Sequence, residues 1–244
     1  MPGGRWTPVV VSRIAAAFAL AVLIGSSLSN GLLSPLLDRE AGSAQQIVIW
    51  TMAHQQQLLF QFVPAYVALL YAVLVALLVH LTGGRGVLAS LAYIGVGANL
   101  AVTLVGFGLF FGLWTYIHRG GSDEGILALA TIAPTFTHSQ LMALGLAIGC
   151  IGLLGLRSRA WPAWMSWFLL VAGAAHVLTY IAYASSPPSW ATTTANTFGA
   201  LAHRIDIVLE LLWLIATFVV LLVRPVRQVP GEVGEVLRAA PIES

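Results

Sequence analysis

Six long apolar segments run through the chain and constrain its fold more than any other feature. They lie at about 10–34, 58–82, 87–117, 127–156, 162–185 and 201–223. A helix needs about 20 predominantly apolar residues to cross a bilayer, and each segment reaches that length. Short stretches rich in glycine, proline or arginine separate them. The pattern predicts an all-α integral membrane bundle of six transmembrane helices.

The composition of the chain supports the same class of protein. Apolar residues make up 59% and charged residues 8%, and the mean hydropathy is +0.90. A soluble domain carries about 25% charged residues, so this chain has too little charge to cover a surface that faces water. Its main partner is therefore expected to be the lipid bilayer. A net charge of +2, scattered along the chain, argues against nucleic-acid binding.

The placement of the basic residues, all of which are arginines, predicts the orientation of the bundle. With a cytoplasmic N-terminus, eight of them fall on the inner side: Arg5, Arg13, Arg85, Arg157, Arg159, Arg224, Arg227 and Arg238. The outer side holds three, Arg39, Arg119 and Arg204. Cytoplasmic loops of membrane proteins carry the excess of arginine, so both termini are predicted to be cytoplasmic. The lysine-free, arginine-rich composition favours a bacterial plasma membrane.

The predicted organisation is one domain followed by a tail. Residues 1–227 form a single six-helix transmembrane domain, and residues 228–244 form a flexible cytoplasmic tail. The first apolar run lacks an A-x-A-like cleavage site, so we interpret it as an uncleaved helix rather than a signal peptide. The polar stretch 45–57 is helix-compatible and is predicted to continue the second transmembrane helix above the bilayer.

Ionisable residues inside the predicted helices indicate where function lies. His203, Asp206 and Glu210 occur at i, i+3 and i+7 and therefore share one face of the last helix. Such side chains are costly in lipid, so they usually face the bundle interior and mark functional sites. The fifth helix carries His176 and Tyr180 on one stripe.

Polar groups on the other predicted helices lie at a similar depth. Ser26, His54, Gln61, Asn99, Thr103 and His138 all fall in or just above the predicted outer half. The inner halves consist almost entirely of Leu, Val, Ala and Ile, with His80 as the exception at the inner interface. This asymmetry predicts a water-accessible pocket that opens to the outside. Its candidate catalytic residues are Asp206, Glu210 and His176, and its candidate ligand-binding residues are Gln61, Asn99, His138, Tyr180 and His203.

Several chemistries are compatible with such a pocket. Glu210, with Asp206 and a histidine to orient it, could exchange protons with a small, lipid-like or isoprenoid molecule, either as an enzyme or as a binding protein. Haem or a divalent metal could bind through His138, His176 and His203, although no H-E-x-x-H motif or i, i+4 histidine pair is present. Transport is disfavoured because the inner half offers no polar path and the chain contains no inverted repeat.

The alternative is a structural or accessory membrane protein without a small-molecule site. In that case Asp206 pairs with an arginine or a histidine and locks the bundle. The residues alone leave open whether the chain is an enzyme and which oligomeric state it adopts.

A resemblance to a family rests on three short stretches. They are Ser12-Arg13-Ile14-Ala15, the segment Leu153–His176 with its arginine loop, proline and Trp/Leu/Gly-rich helix, and Glu210-Leu211-Leu212-Trp213. In these stretches the chain resembles the bacterial six-helix membrane proteins grouped as the DUF4386-like family. His138 and the run Gln55–Gln57 depart from the family pattern. The resemblance implies a six-helix membrane fold and no particular activity.

Overall fold

Seven helices make up the fold in the computed structural model, which describes residues 7–37, 43–53, 62–185 and 193–223. They are α1 (Pro8–Leu37), α2 (Ala44–Ala53), α3 (Phe62–Leu81), α4 (Val87–His118), α5 (Asp123–Ser158), α6 (Ala163–Ser185) and α7 (Thr193–Val223). All except α2 are long and apolar enough to cross a membrane, which confirms the six predicted segments. The last helix begins earlier than its apolar segment, at Thr193. The predicted tail, and the predicted junction between residues 45–57 and the second span, fall wholly or partly outside the described residues.

Local sequence determines where the helices begin and end. Ser122 caps α5, since its hydroxyl accepts a hydrogen bond from the Gly125 amide at 3.3 Å. Asp123 and Glu124 follow in the first turn, where their charge complements the helix dipole. Between α3 and α4 the chain reverses at Gly83, whose φ of 60° lies in the left-handed region that glycine adopts without strain.

The six long helices pack as a ring in chain order. Each packs against its neighbour in sequence, from α3 through α4, α5 and α6 to α7, and α1 closes the ring by packing against both α3 and α7. Short connections make sequential helices antiparallel. The short helix α2 packs against α5, where Ile47 contributes to a small buried cluster with Leu113, Ile117 and Ile126. In this ring α7 lies between α1 and α6, which determines what its polar face meets.

The faces of α7 are arranged in the reverse of a soluble amphipathic helix. Large apolar side chains at three- and four-residue spacing are exposed on one face: Leu201, Ile205, Val208, Leu212, Ile215 and Val219. Asp206 and Thr217 are buried on the opposite face. A helix that turns its apolar side outward and its polar side inward is suited to lipid rather than to water.

Helices α5 and α6 approach each other closely through glycines. A Cβ atom on Gly145 would lie 2.6 Å from the Gly173 carbonyl oxygen, and one on Gly173 would lie 2.7 Å from the Gly145 carbonyl oxygen. One on Gly152 would lie 2.8 Å from the Ser166 carbonyl oxygen. Small residues at helix interfaces are the usual means by which membrane helices bring their backbones together. The interface also brings His176 close, because its Cβ is 3.0 Å from the Cβ position of Gly145.

Candidate functional site

The centre of the site is a pair formed by His176 on α6 and Asp206 on α7. The imidazole Nδ1 lies 2.7 Å from Asp206 Oδ1, and both side chains are fully or almost fully buried. Nδ1 is also 3.0 Å from the Ala172 carbonyl oxygen, one turn earlier on α6. Both neighbours are hydrogen-bond acceptors, so Nδ1 carries a proton. This tautomer assignment follows from the contacts, and it leaves Nε2 as the nitrogen whose proton can come and go.

The direction of the Nδ1–H bond favours the Ala172 carbonyl over the carboxylate. Asp206 Oδ1 therefore receives no hydrogen bond of good geometry within the part of the chain that the structure describes, although it is in ion-pair contact with the ring. His176 Nε2 is also buried, and no described residue offers it a hydrogen bond. A buried ring nitrogen without a hydrogen-bond partner is unusual in a native interior and calls for one.

Glu210 forms the second half of the site. Ser26 on α1 donates a hydrogen bond to Glu210 Oε1 at 2.8 Å, and the hydroxyl of Tyr71 on α3 donates a short hydrogen bond to the same oxygen. The Tyr71 ring lies beside the Trp213 indole, with their centroids 6.1 Å apart. Hydrogen bonds to a carboxylate are stronger than neutral ones. Glu210 therefore connects α7 to both α1 and α3.

The two halves form one electrostatic unit. Both carboxylates, Asp206 and Glu210, are close enough to act on the charge of His176 and on that of Tyr71. On α7 the two carboxylates are four residues apart, which corresponds to about 6 Å along the axis. We refer to Ser26, Tyr71, His176, Asp206 and Glu210 as the carboxylate cluster. It joins α1, α3, α6 and α7 inside the ring.

The other predicted site residues lie elsewhere or at the margin. Asn99 is buried on α4, where the Thr103 hydroxyl lies 2.7 Å from the Asn99 carbonyl oxygen and 2.6 Å from Gln140 Oε1 on α5. This is a polar contact between α4 and α5. His138, Tyr180 and His203 are half-buried. Gln61 and His54 lie outside the described residues, so their proposed roles stay predictions.

Sequence reasoning missed Tyr71 and gave no role to Ser12, Ser166 and Thr217. A single tyrosine in an apolar helix looks like packing, and nothing in its own helix indicates that it meets Glu210. Buried polar side chains also occur toward the end of the bundle that the arginines predict to be cytoplasmic, at Ser12, Ser166 and Thr217. For Thr217 the sequence does contain a signal, because the heptad spacing of Asp206 and Glu210 continues to Trp213 and Thr217.

The described part of the chain contains no ready-made set of metal ligands. No three His, Cys, Asp or Glu side chains converge there into a set that could hold a metal ion. His176, Asp206 and Glu210 come near one another, but Glu210 is engaged by Ser26 and Tyr71.

The fold and the cluster define the class of protein: an all-helical ring of six membrane-type helices with a buried His–Asp pair. Comparison of the chain with family models, with curated proteins and with solved structures finds no match. The function must therefore be inferred from the cluster itself.

Proposed function

We propose that this chain is a multi-pass membrane protein whose carboxylate cluster binds a small or lipid-like molecule and exchanges a proton with it. The observation that carries the proposal is His176 Nε2, a fully buried ring nitrogen that no described residue hydrogen-bonds, although Nδ1 of the same ring already contacts Ala172 and Asp206. A hydroxyl or amine group of a ligand would satisfy this nitrogen by donating a hydrogen bond to it. The apolar bundle around the cluster suits the rest of a lipid-like or isoprenoid molecule.

The chemistry follows the logic of a carboxylate–histidine pair. Asp206 stabilises and orients the imidazole from its Nδ1 side, while Nε2 takes up or gives the proton. A small rotation of the ring turns the Nδ1–H bond from the Ala172 carbonyl to the Asp206 carboxylate, which is already 2.7 Å away. Glu210, held by Ser26 and Tyr71, is a second group that can store a proton.

The membrane setting belongs to the same proposal. Six apolar helices, the outward-facing apolar side of α7 and the arginines at one end of the bundle support insertion in a bacterial plasma membrane with both termini in the cytoplasm. Kinship with the DUF4386-like family is also proposed, on the sequence motifs alone. Reporter domains inserted at Gly86 and at Gly120 test the orientation: the first is expected in the cytoplasm and the second outside.

The binding test uses the protein purified in mild detergent, with histidine side chains labelled with ¹⁵N. Adding a bacterial lipid and isoprenoid extract is expected to shift the Nε2 signal of His176, and native mass spectrometry should detect the bound molecule. His176→Gln, which keeps a polar side chain but cannot titrate, should lower the amount bound. His80→Gln, at an exposed histidine, is the control.

The outcome against the proposal is equally definite. If no component of the extract moves the His176 signal or remains bound in the mass spectrum, the cluster does not bind such a molecule.

A structural role is the second candidate, and one observation favours it. Glu210 is already hydrogen-bonded to α1 and α3, and Asp206 is already paired with α6, so the cluster ties four helices together. This is the locking pair that the sequence leaves as an alternative. Under this role, Asp206→Asn combined with Glu210→Gln lowers thermal stability and leaves any activity of the folded protein intact.

A further inference from the structure

The buried polar face of α7 extends well beyond the carboxylate cluster. Asp206, Glu210, Trp213 and Thr217 follow one another at spacings of four, three and four residues, so they share one side of the helix. Trp213 and Thr217 are buried. The line runs from Asp206 toward Val223, the end of α7 that lies next to the start of α1, because α1 and α7 pack antiparallel in the ring.

Three buried polar atoms along this line have no partner in the described part of the chain. They are Trp213 Nε1, Thr217 Oγ1 and Ser12 Oγ of α1. The side chains are 1%, 0% and 1% exposed, so bulk solvent does not satisfy them. By contrast, the buried indole of Trp161 donates to Ser166 Oγ at 2.8 Å. A buried polar atom that lacks a protein partner is most simply satisfied by an ordered water molecule.

The hydrogen bond between Ser26 and Glu210 sets the register between α1 and α7. At a rise of 1.5 Å per residue, Trp213 lies about 4–5 Å and Thr217 about 10 Å from Glu210 toward the end of α7. Ser12 is two heptads from Ser26, on the same face of α1 and about 21 Å away along the axis. The unsatisfied atoms therefore form a series between Glu210 and the end of the bundle at which Arg13 is exposed.

The residues of α1 that are buried along this side of the helix are mostly small. Ala15, Ala16, Ala19 and Val22 are buried between Ser12 and Ser26, so the buried side of α1 presents only methyl-sized side chains from Ser12 to Ala19 and a valine before Ser26. An alanine methyl group opposite Thr217 fills little space. It forms no hydrogen bonds, so the Thr217 hydroxyl and the Trp213 indole remain able to bond to water.

We propose that a file of water molecules occupies the seam between α1 and α7 and carries protons between the Ser12 end of the bundle and the carboxylate cluster. Ser12 and Thr217 can each accept and donate a hydrogen bond, so they can take part in proton transfer. The Trp213 indole only donates, so it holds a water molecule in place. A proton that arrives from hydronium leaves a water molecule and converts Glu210 to the acid. The return step gives the proton back to water.

This path goes beyond the proposed function and does not depend on it. A proton path is useful to an acid–base catalyst, to a proton-coupled binding protein or to a transporter, and it exists whether or not His176 meets a ligand. It also removes one objection to transport, namely the supposed absence of polar groups from the inner half.

The first test is the exchange of indole protons with solvent deuterium, followed by NMR of tryptophan labelled with ¹⁵N in lipid nanodiscs. Trp213→Phe assigns the Trp213 signal. Water in the seam is expected to make the Trp213 indole, which is 1% exposed, exchange about tenfold or more faster than that of Trp161, which is 6% exposed but bonded to Ser166. Thr217→Val should slow the exchange of Trp213 and leave that of Trp161 unchanged.

The second test is thiol reactivity toward a charged methanethiosulfonate reagent that reacts only in water. Thr217→Cys is compared with Ile215→Cys, which lies on the exposed apolar face, and with the wild type, whose single cysteine is the buried Cys150. Thr217→Cys should react about tenfold or more faster than either, because thiols ionise in water but not in lipid or in a dry core. Size-exclusion profiles and helical circular dichroism confirm that each variant is folded.

The proposal is overturned if the Trp213 indole exchanges no faster than that of Trp161, or if Thr217→Cys reacts no faster than Ile215→Cys. Neither experiment involves His176 or an added ligand. Failure here therefore leaves the proposed function untouched, and failure of ligand binding leaves the water path untouched.

Discussion

The interface between α5 and α6 and the interface around α7 hold helices together in opposite ways. At the first, Gly145, Gly152 and Gly173 bring two backbones so close that a single added methyl group would collide with a carbonyl oxygen. At the second, side chains reach across wider gaps, with Glu210 bonded to Ser26 and Tyr71 and Asp206 paired with His176. One interface relies on shape, the other on charge and hydrogen bonds.

The difference indicates which interface serves function. Close glycine packing needs no ionisable group and satisfies itself. A buried ion pair is a weak source of stability, because desolvation offsets most of the attraction, and apolar residues of similar size often serve as well. Ionisable groups around α7 are therefore hard to explain by stability alone. The unsatisfied His176 Nε2 adds to that cost rather than reducing it.

The largest effect is expected from removing one member of the His–Asp pair. His176→Leu leaves the Asp206 carboxylate buried without its partner and should lower the free energy of unfolding by about 3–5 kcal/mol. The measurement is unfolding by sodium dodecyl sulfate in mixed micelles, followed by circular dichroism.

The double variant His176→Leu with Asp206→Leu provides the contrast. It removes the stranded charge together with the ring, so it should recover most of the lost stability. If the double variant is as unstable as the single one, the pair stabilises the bundle by its attraction, and the comparison between the two interfaces weakens.

The next largest effect is expected at the glycine interface. Gly173→Ala places a Cβ 2.7 Å from the Gly145 carbonyl oxygen and 2.8 Å from the Gly149 amide nitrogen, so α5 and α6 must separate. Overpacking of this kind costs about 1–3 kcal/mol. Gly149→Ala is the control, since its Cβ would meet nothing within 4 Å. Equal stability of the two alanine variants in the same unfolding assay would show that α5 and α6 are not in close contact.

Sequence reasoning predicted the helices well and the cluster only partly. Hydropathy and length are sufficient for six spans because a bilayer imposes a fixed thickness. Heptad spacing likewise predicts that Asp206 and Glu210 share one face, and a histidine is one of the two kinds of partner that the sequence offers Asp206. The hydrogen bond between Tyr71 and Glu210 could not be predicted. It requires the ring to close with α1 packed against both α3 and α7. Short loops make sequential helices adjacent, but they do not determine how the ring closes.

A smaller effect is expected from the hydrogen bond between Tyr71 and Glu210. Tyr71→Phe keeps the ring beside Trp213 and removes the hydroxyl, which should cost about 1–2 kcal/mol, the size expected for a side-chain hydrogen bond between apolar helices. Tyr66→Phe on the same helix is the control, because that ring is 63% exposed. A loss no greater than that of the control would mean that Ser26 alone is a sufficient partner for Glu210.

The smallest effect on stability is expected at Thr179, which joins α6 to α7 one turn from the pair. Its hydroxyl donates to the Ala202 carbonyl oxygen at 3.3 Å. That carbonyl can also accept the helical hydrogen bond from the Asp206 amide, so Thr179→Val leaves it satisfied and should cost only about 0.6 kcal/mol.

The Thr179→Val variant is nevertheless informative about the pair of His176 and Asp206. Asp206 follows Ala202 by one turn and His176 precedes Thr179 by three residues, so this bond helps to fix the distance between imidazole and carboxylate. Thr179→Val should therefore shift the ¹⁵N signals of His176, while Thr115→Val, which loses a bond within its own helix, should not. A His176 signal that ignores Thr179→Val would mean that the attraction between the two charges holds the pair in place without help from the α6–α7 contact.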